Sequence, residues 1–166
     1  MIKIGVISDT HGQFSVRTQR FLEPVDELWH AGDIGSLELA NMLEQFKPLR
    51  AVCGNIDGQP LQWMYSSMLR FRCEEADILM IHIGGYPEHY MPDVRRELRR
   101  QPPTVLVCGH SHILRVMFDP QYRCLYINPG AAGNQGFHKV CTAVRFNIDG
   151  AAITNMEVHE FARKDF

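Results

Sequence analysis

The sequence predicts an α/β fold in which two sheets pack together with helices outside. Its first half alternates short apolar runs with amphipathic stretches, a pattern that requires parallel strands joined by crossover helices. Its second half, after one further helix, holds only strand-like runs separated by turn residues. With 45% hydrophobic and 22% charged residues over 166 positions, the composition is globular and lies far from the disordered regime. No internal repeat, low-complexity tract or linker interrupts it, so a single domain spanning 1–166 is expected.

In chain order, Ile2–Ile7, Glu27–His30 and Leu49–Val52 read as strands, with helices Phe14–Leu22 and Leu37–Phe46 between them. Met68–Glu74 and Ile78–Ile83 flank the link Glu75-Ala76-Asp77 and read as a β-hairpin. Met91–Arg100 is a helix stopped by Pro102-Pro103, and Thr104–Cys108 is the strand after it. The tail reads as strands Leu114–Asp119, Arg123–Ile127, Lys139–Ile148 and Ile153–Val158, with Pro120-Gln121 and Asp149-Gly150 as turns. In open sheets with parallel strands, ligands bind beyond the carboxyl ends of the strands, so functional residues should follow the strands.

Several classes of function are disfavoured. A net charge of −2 gives no broad positive field to hold nucleic acid or an anionic membrane, so a phosphate-bearing substrate must be held locally. The start MIKIGVISDTHG carries no signal-peptide pattern and no later run reaches transmembrane length, so a cytoplasmic location is expected. The five cysteines are spread out without a CxxC pair, which reads as reduced thiols, mostly buried.

Five clusters of metal-capable side chains lie at or just beyond the predicted strand ends: Ser8-Asp9-Thr10-His11, Gly32-Asp33, Gly54-Asn55, Ile81-His82 and Gly109-His110-Ser111-His112. Glycine precedes three of them, which suits tight turns and close backbone approach. A parallel sheet would bring all five onto one edge. The donors are carboxylate, imidazole and amide oxygen without thiolate, a set suited to manganese, iron, zinc or nickel rather than to a structural zinc site. Seven such groups exceed what one ion accepts, and two ions sharing a carboxylate would use them all.

DxH, GD, GN, a lone His and GHxH, in this order, resemble the calcineurin-like metallophosphoesterases, in particular the short bacterial and archaeal phosphodiesterases. The resemblance runs from Ile4-Gly5-Val6-Ile7-Ser8-Asp9-Thr10-His11-Gly12 to Asn128-Pro129-Gly130. It implies a four-layer αββα sandwich and a hydrolase of phosphate esters. It also implies Asp9, His11, Asp33 and His112 on one divalent ion and Asp33, Asn55, His82 and His110 on the other, with Asp33 as bridge. Two such ions, manganese by preference, would sit roughly 3.5–4 Å apart and share a hydroxide that attacks phosphorus in line. Asn55 would also contact the substrate phosphate. A phosphodiesterase is the leading expectation. The alternatives are a phosphomonoesterase and a protein-binding scaffold like the retromer subunit of the same superfamily, whose ligand set is degraded where this one is full. Homo-oligomerisation stays open.

Two positions depart from the family pattern. Many members follow GN with His-Asp, whose His protonates the leaving oxygen, whereas here Ile56 precedes Asp57 and carries no proton; a metal-bound water or His11 is left for that role. Where members show His-Gly-His, His82 is followed by Ile83-Gly84-Gly85-Tyr86, and His89 is the nearest substitute.

Other residues read more plainly. Asp57 either caps its own loop or hydrogen-bonds a ligand histidine. His30, inside a strand, is expected to be packed and hydrogen-bonded. Arg95, Arg96, Arg99 and Arg100 read as a solvated face that complements the helix dipole. Asn128-Pro129-Gly130-Ala131-Ala132-Gly133 reads as a loop walling the site. His138 and His159 carry no signal.

Overall fold

A computed structural model describes residues 1–166. The strands are β1 (Ile2–Ile7), β2 (Glu27–His30), β3 (Leu49–Ala51), β4 (Met68–Cys73), β5 (Ala76–Ile81), β6 (Val105–Val107), β7 (Leu114–Asp119), β8 (Cys124–Pro129), β9 (Val140–Asp149) and β10 (Ala152–Ala162). The helices are α1 (Val16–Leu22), α2 (Leu37–Phe46), α3 (Leu61–Met64) and α4 (Pro92–Arg100). One sheet runs β10-β9-β1-β2-β3 and the other β4-β5-β6-β8-β7. β1, β2 and β3 are mutually parallel, as are β5, β6 and β8, while β9, β4 and β7 pair antiparallel at their flanks.

Period-two alternation decides what each strand residue buries against. Ile4 and Val6 of β1, Ile78 and Met80 of β5, and Val105 and Val107 of β6 meet in a core between the sheets. Their neighbours Ile7, Leu79 and Leu106 face outward instead. Ile7 and Leu28 pack under Leu22 of α1 and Leu39 and Leu43 of α2, whereas Leu79 and Leu106 pack under Val94 and Leu98 of α4. Both faces of each central strand are thus covered, which is why these strands read as unbroken apolar runs. The result is the expected α/β/β/α layering. Gly5 makes the α1 contact possible, since a Cβ there would sit 2.7 Å from the Leu22 side chain.

Caps set the helix starts: α2 begins at Leu37 as expected, whereas α1 and α4 begin later than their apolar patterns suggest. Ser15 accepts from the Thr18 amide at 3.1 Å and Ser36 from the Leu39 amide at 3.2 Å, so α1 begins at Val16 rather than Phe14. α4 starts on Pro92, whose fixed φ suits the first helical turn.

The hairpin turns on Glu74-Glu75, with Glu74 at φ +50°, so β5 begins at Ala76 rather than Ile78. β10 runs to Ala162, past the expected end, because it pairs along β9 after a register shift between Thr154 and Glu157. Asn128 and Pro129, expected in a loop, close β8 opposite Arg115 and Leu114; a final strand position tolerates a proline without an amide hydrogen. The short α3 was not anticipated. No helix is long and apolar enough to cross a membrane.

Candidate metal centre

The five clusters do follow strands, but on two sheets rather than one. Asp9, Asp33 and Asn55 follow β1, β2 and β3 of the first sheet, while His82 and the pair His110 and His112 follow β5 and β6 of the second. The carboxyl ends of the two sheets adjoin, and hydrogen bonds cross between them. His82 Nδ1 lies 2.7 Å from the Ala31 carbonyl. The His110 amide donates to Asp9 Oδ2 at 3.0 Å.

All seven side chains converge, in two groups. Ligand atoms of Asp9, His11 and His112 lie within 4.8 Å of one another, and so do those of Asp33, His82 and His110. Asp33 Oδ2 stands 3.3 Å from His82 Nε2 and 3.7 Å from His11 Nε2, so a single oxygen faces both groups. Asn55 Oδ1 is 3.0 Å from both His82 Nε2 and His110 Nδ1.

The hydrogen bonds show which atoms are left for a cation. Asp9 Oδ2 accepts from Ser8 Oγ at 2.6 Å and from the His110 amide, whereas buried Oδ1 has no partner. Asp33 Oδ1 accepts from the Ile56 amide at 3.0 Å, leaving Oδ2 turned to the histidines. A backbone carbonyl only accepts, so His82 Nδ1 carries a proton, and in the neutral ring the Nε2 lone pair points at Asp33 Oδ2 and Asn55 Oδ1. Nε2 of His11 is likewise buried without a partner. Electron-rich atoms facing one another in a buried site require positive charge between them.

The titration behaviour agrees. Burial alone would raise the Asp9 carboxyl, but His112, His82 and the Ser8 hydroxyl overcome it and hold it below the usual range. Asp33 is lowered in the same sense, against its burial, by His82 and the Ile56 amide. His82 is raised: burial disfavours its cation, but Asp33 and Asp9 outweigh that. The residues present therefore fit divalent cations, which bring the missing charge without a proton.

The backbone here is unusual. Asp9 (φ +53°), His11 (+48°), Asp33 (+56°), His110 (+70°) and His112 (+59°) all occupy the left-handed region, which non-glycine residues rarely adopt. Such conformations cost on the order of 1–3 kcal/mol each and persist only where the surroundings impose them. Here the Asp9 amide donates to the Gly32 carbonyl at 2.9 Å and the His11 amide to the Asp33 carbonyl at 3.0 Å. The three preceding glycines serve the close approach expected of them. A Cβ on Gly54 would lie 2.0 Å from Asp33 Oδ1, one on Gly109 2.1 Å from Ser8 Oγ, and one on Gly32 2.6 Å from His82 Nδ1.

Asp57 is buried and caps its own loop. Its Oδ2 accepts from Gly54 at 2.8 Å and Ile34 at 3.1 Å, and its Oδ1 from Gly35 at 2.9 Å, with no bond to any histidine. His30 is fully buried, as expected. Its Nδ1 accepts from the Gly32 amide at 3.1 Å, so Nε2 donates to Thr10 Oγ1 at 2.8 Å, and burial pulls its pKa down to about 4.

His89 stays outside the cluster, its ring against Tyr86. The four arginines of α4 are exposed, with Arg96 paired to Asp93 and Arg100 to Glu97. Four of the cysteines are buried; Cys53 is half-buried in a cavity wall.

The segment after β8 braces the site as well as walling it. Asn128 Nδ2 donates to the Gly109 carbonyl at 2.9 Å and to Ser111 Oγ at 3.1 Å, and the Gly133 amide to the Asp9 carbonyl at 3.1 Å. His138, which carried no signal in the sequence, lies with its Nδ1 3.1 Å from His112 Nδ1. Two cavities open beside the cluster. One of about 580 Å³ is bounded by Asn55, His82, Gln62, Ser66 and Ser67, and one of about 630 Å³ by His110, His112, Phe137 and His138.

The chain is similar to known proteins in sequence and in fold. The family model of the calcineurin-like phosphoesterase superfamily domain matches residues 2–151. A probable metallophosphoesterase of Methanothermobacter thermautotrophicus is 30% identical over 135 residues, which cover 77% of this chain and 76% of that one. A solved archaeal phosphodiesterase superposes with a TM-score of 0.73 at 19% identity, covering 97% of this chain and 99% of that one. Zinc-complexed Vps29 from Entamoeba histolytica gives 0.72 at 14%, covering 98% and 99%. A predicted phosphoesterase from Streptococcus pneumoniae gives 0.70 at 22%, covering 98% and 90%. At these identities the solved structures establish the two-sheet fold, and the family match over nearly the whole length establishes that this chain belongs to the calcineurin-like phosphoesterase superfamily.

Proposed function

We propose that the chain is a two-metal phosphodiesterase, with Asp9, His11 and His112 on one ion, Asn55, His82 and His110 on the other, and Asp33 between them. The observation that carries this reading is the convergence of unpartnered Asp9 Oδ1 and His11 Nε2 with Asp33 Oδ2 and His82 Nε2, from strand ends of two sheets. When bound, two divalent ions, manganese by preference, supply a water nucleophile at neutral pH and neutralise charge building on the phosphoryl oxygens. Asp33 presents Oδ2 to both groups and is held in place through Oδ1 by the Ile56 amide. Exposed Asn55 turns Oδ1 to the histidines, which leaves its Nδ2 for a phosphate oxygen.

The preference for diesters rests on the two cavities. Each is bounded by ligands of the cluster, so a phosphate between them can extend one ester arm into each. Neither contains a lysine or arginine to meet the second charge of a monoester or a polyphosphate tail. Ile56 offers no proton to the leaving oxygen. As for the scaffold alternative, every ligand position here holds a metal-competent residue.

The test is turnover of an aryl diester by chelator-stripped protein with and without added manganese, with metal analysis alongside. Activity restored by manganese, with close to two ions per chain at saturation, is expected. Uptake that stops at one ion would overturn the two-metal site, and faster hydrolysis of the matching monoester would overturn the diester preference.

A further inference from the structure

His138 stands on the loop between β8 and β9 and belongs to neither ligand group. Its Nε2 lies 2.8 Å from the Gly133 carbonyl, an atom that can only accept, so Nε2 carries the proton. In the neutral ring Nδ1 then holds a lone pair, and it faces His112 Nδ1 at 3.1 Å. Two lone pairs at that separation would repel, so His112 must hold its proton on Nδ1 and donate it. In the neutral ring the lone pair of His112 is then on Nε2, 3.1 Å from Asp9 Oδ1, where a cation can lie between them.

The geometry points to His138 as a positioning residue: by accepting the Nδ1 proton of His112 it fixes the tautomer and ring orientation that present Nε2 to a cation shared with Asp9 and His11. Imidazole ligands generally donate their other ring nitrogen to such a partner. His82 uses the Ala31 carbonyl for this purpose, whereas His112 uses a second histidine. The loop is shaped for the pairing. Gly136 passes over it at φ +132°, and a Cβ there would lie 2.5 Å from His112 Nδ1 and 3.0 Å from His138 Nδ1. Gly133, which accepts from His138, also donates its amide to the Asp9 carbonyl, so one residue sets both the positioning histidine and the neighbouring ligand. The bare state and destination of Nε2 rest on the metal reading proposed above, since without a cation the Asp9 carboxylate would draw a second proton there; the Nδ1 proton that His138 accepts does not depend on it.

Nitrogen NMR of 15N-histidine-labelled, metal-free protein at mildly alkaline pH tests the tautomer directly. The expected result is a proton on Nδ1 of His112 and on Nε2 of His138, with scalar coupling between the two Nδ1 atoms across the hydrogen bond. A proton on His112 Nε2 with a bare Nδ1 would overturn the inference, even if the protein folds and binds metal normally.

Competition titration with zinc or manganese then tests the consequence. His138→Phe keeps the bulk but not the acceptor, and should weaken one of the two ions about 10–100-fold while sparing the other. His138→Gln, whose amide oxygen can accept, should recover most of that loss. Wild-type affinity for both ions in His138→Phe would overturn the positioning role. Failure of the wild-type protein to bind any ion would instead overturn the proposed function while the NMR result still decides the tautomer.

Discussion

Asp57→Asn probes the strut beneath the candidate metal centre without touching a proposed ligand. The Asp57 carboxylate is 2% exposed and takes three backbone amides, from Ile34 and Gly35 beside Asp33 and from Gly54 beside Asn55. A hydrogen bond to a charged acceptor contributes about 1.5–3 kcal/mol net, a neutral one about 1. In its best orientation the asparagine oxygen keeps the Ile34 and Gly54 amides, now as neutral bonds, and turns its NH₂ against the Gly35 amide. Two bonds are weakened and one is replaced by a donor facing a donor. Allowing for water at the part-buried glycines, the loss is about 2–4 kcal/mol. At roughly 2–4 °C per kcal/mol for a chain of this size, the melting temperature should fall by roughly 4–16 °C.

The assay is thermal unfolding by circular dichroism in excess chelator, so that ion binding does not enter, with exposed Asp165→Asn as control. Metal titration of the same variant should show weaker binding, since the loops that carry Asp33 and Asn55 are no longer tied together. A melting temperature within about 1 °C of the control would refute the strut, because losing even one such bond shifts it further.

Asp33→Asn should lower turnover on the order of 10²-fold or more, about 2.7 kcal/mol of barrier, and by more than loss of any single histidine, since Oδ2 faces both ligand groups; near-native turnover at saturating manganese would show that Asp33 is not the bridge. Wild-type rates should fall steeply from esters of acidic phenols to esters of alkyl alcohols, because Ile56 donates no proton, and Ile56→His should help alkyl esters more, within the ~10²–10⁴-fold range of general acid catalysis. Equal effects on both ester types, or wild-type rates insensitive to leaving-group pKa, would show that another residue already supplies the proton.

The fold and the residues of the candidate metal centre were legible because both are written in short-range pattern. Unbroken apolar runs such as Val105–Val107 mark strands covered on both faces, and DxH, GD, GN and GHxH lie one or a few residues past strand ends. What stayed hidden depends on three-dimensional closure. His138 is 26 positions from His112 and meets it only because the loop after β8 folds back under Gly136. The three-amide role of Asp57 needs the β2 and β3 ends side by side, and the sequence left capping and histidine contact as equal options. The left-handed conformations of five candidate ligands were invisible as well, since aspartate and histidine only weakly favour that region. The division of the clusters between two sheets was missed because strand order is not a local property.

That division has an energetic consequence. Each ligand group draws on both sheets: Asp9 and His11 join His112, and Asp33 joins His82 and His110. A cation in either group would therefore tie the end of one sheet to the end of the other, adding to the apolar core between them. Carboxylates and neutral imidazoles brought together without a cation would also oppose closure of the site, a strain added to the left-handed backbone around it. Ion binding relieves the repulsion and would stabilise the folded state by mass action, about 2.7 kcal/mol at a hundredfold excess over Kd. Part of the cost of this strained site would thus be met only when the ions are bound, which couples the stability of the sheet ends to the charge that the proposed chemistry requires.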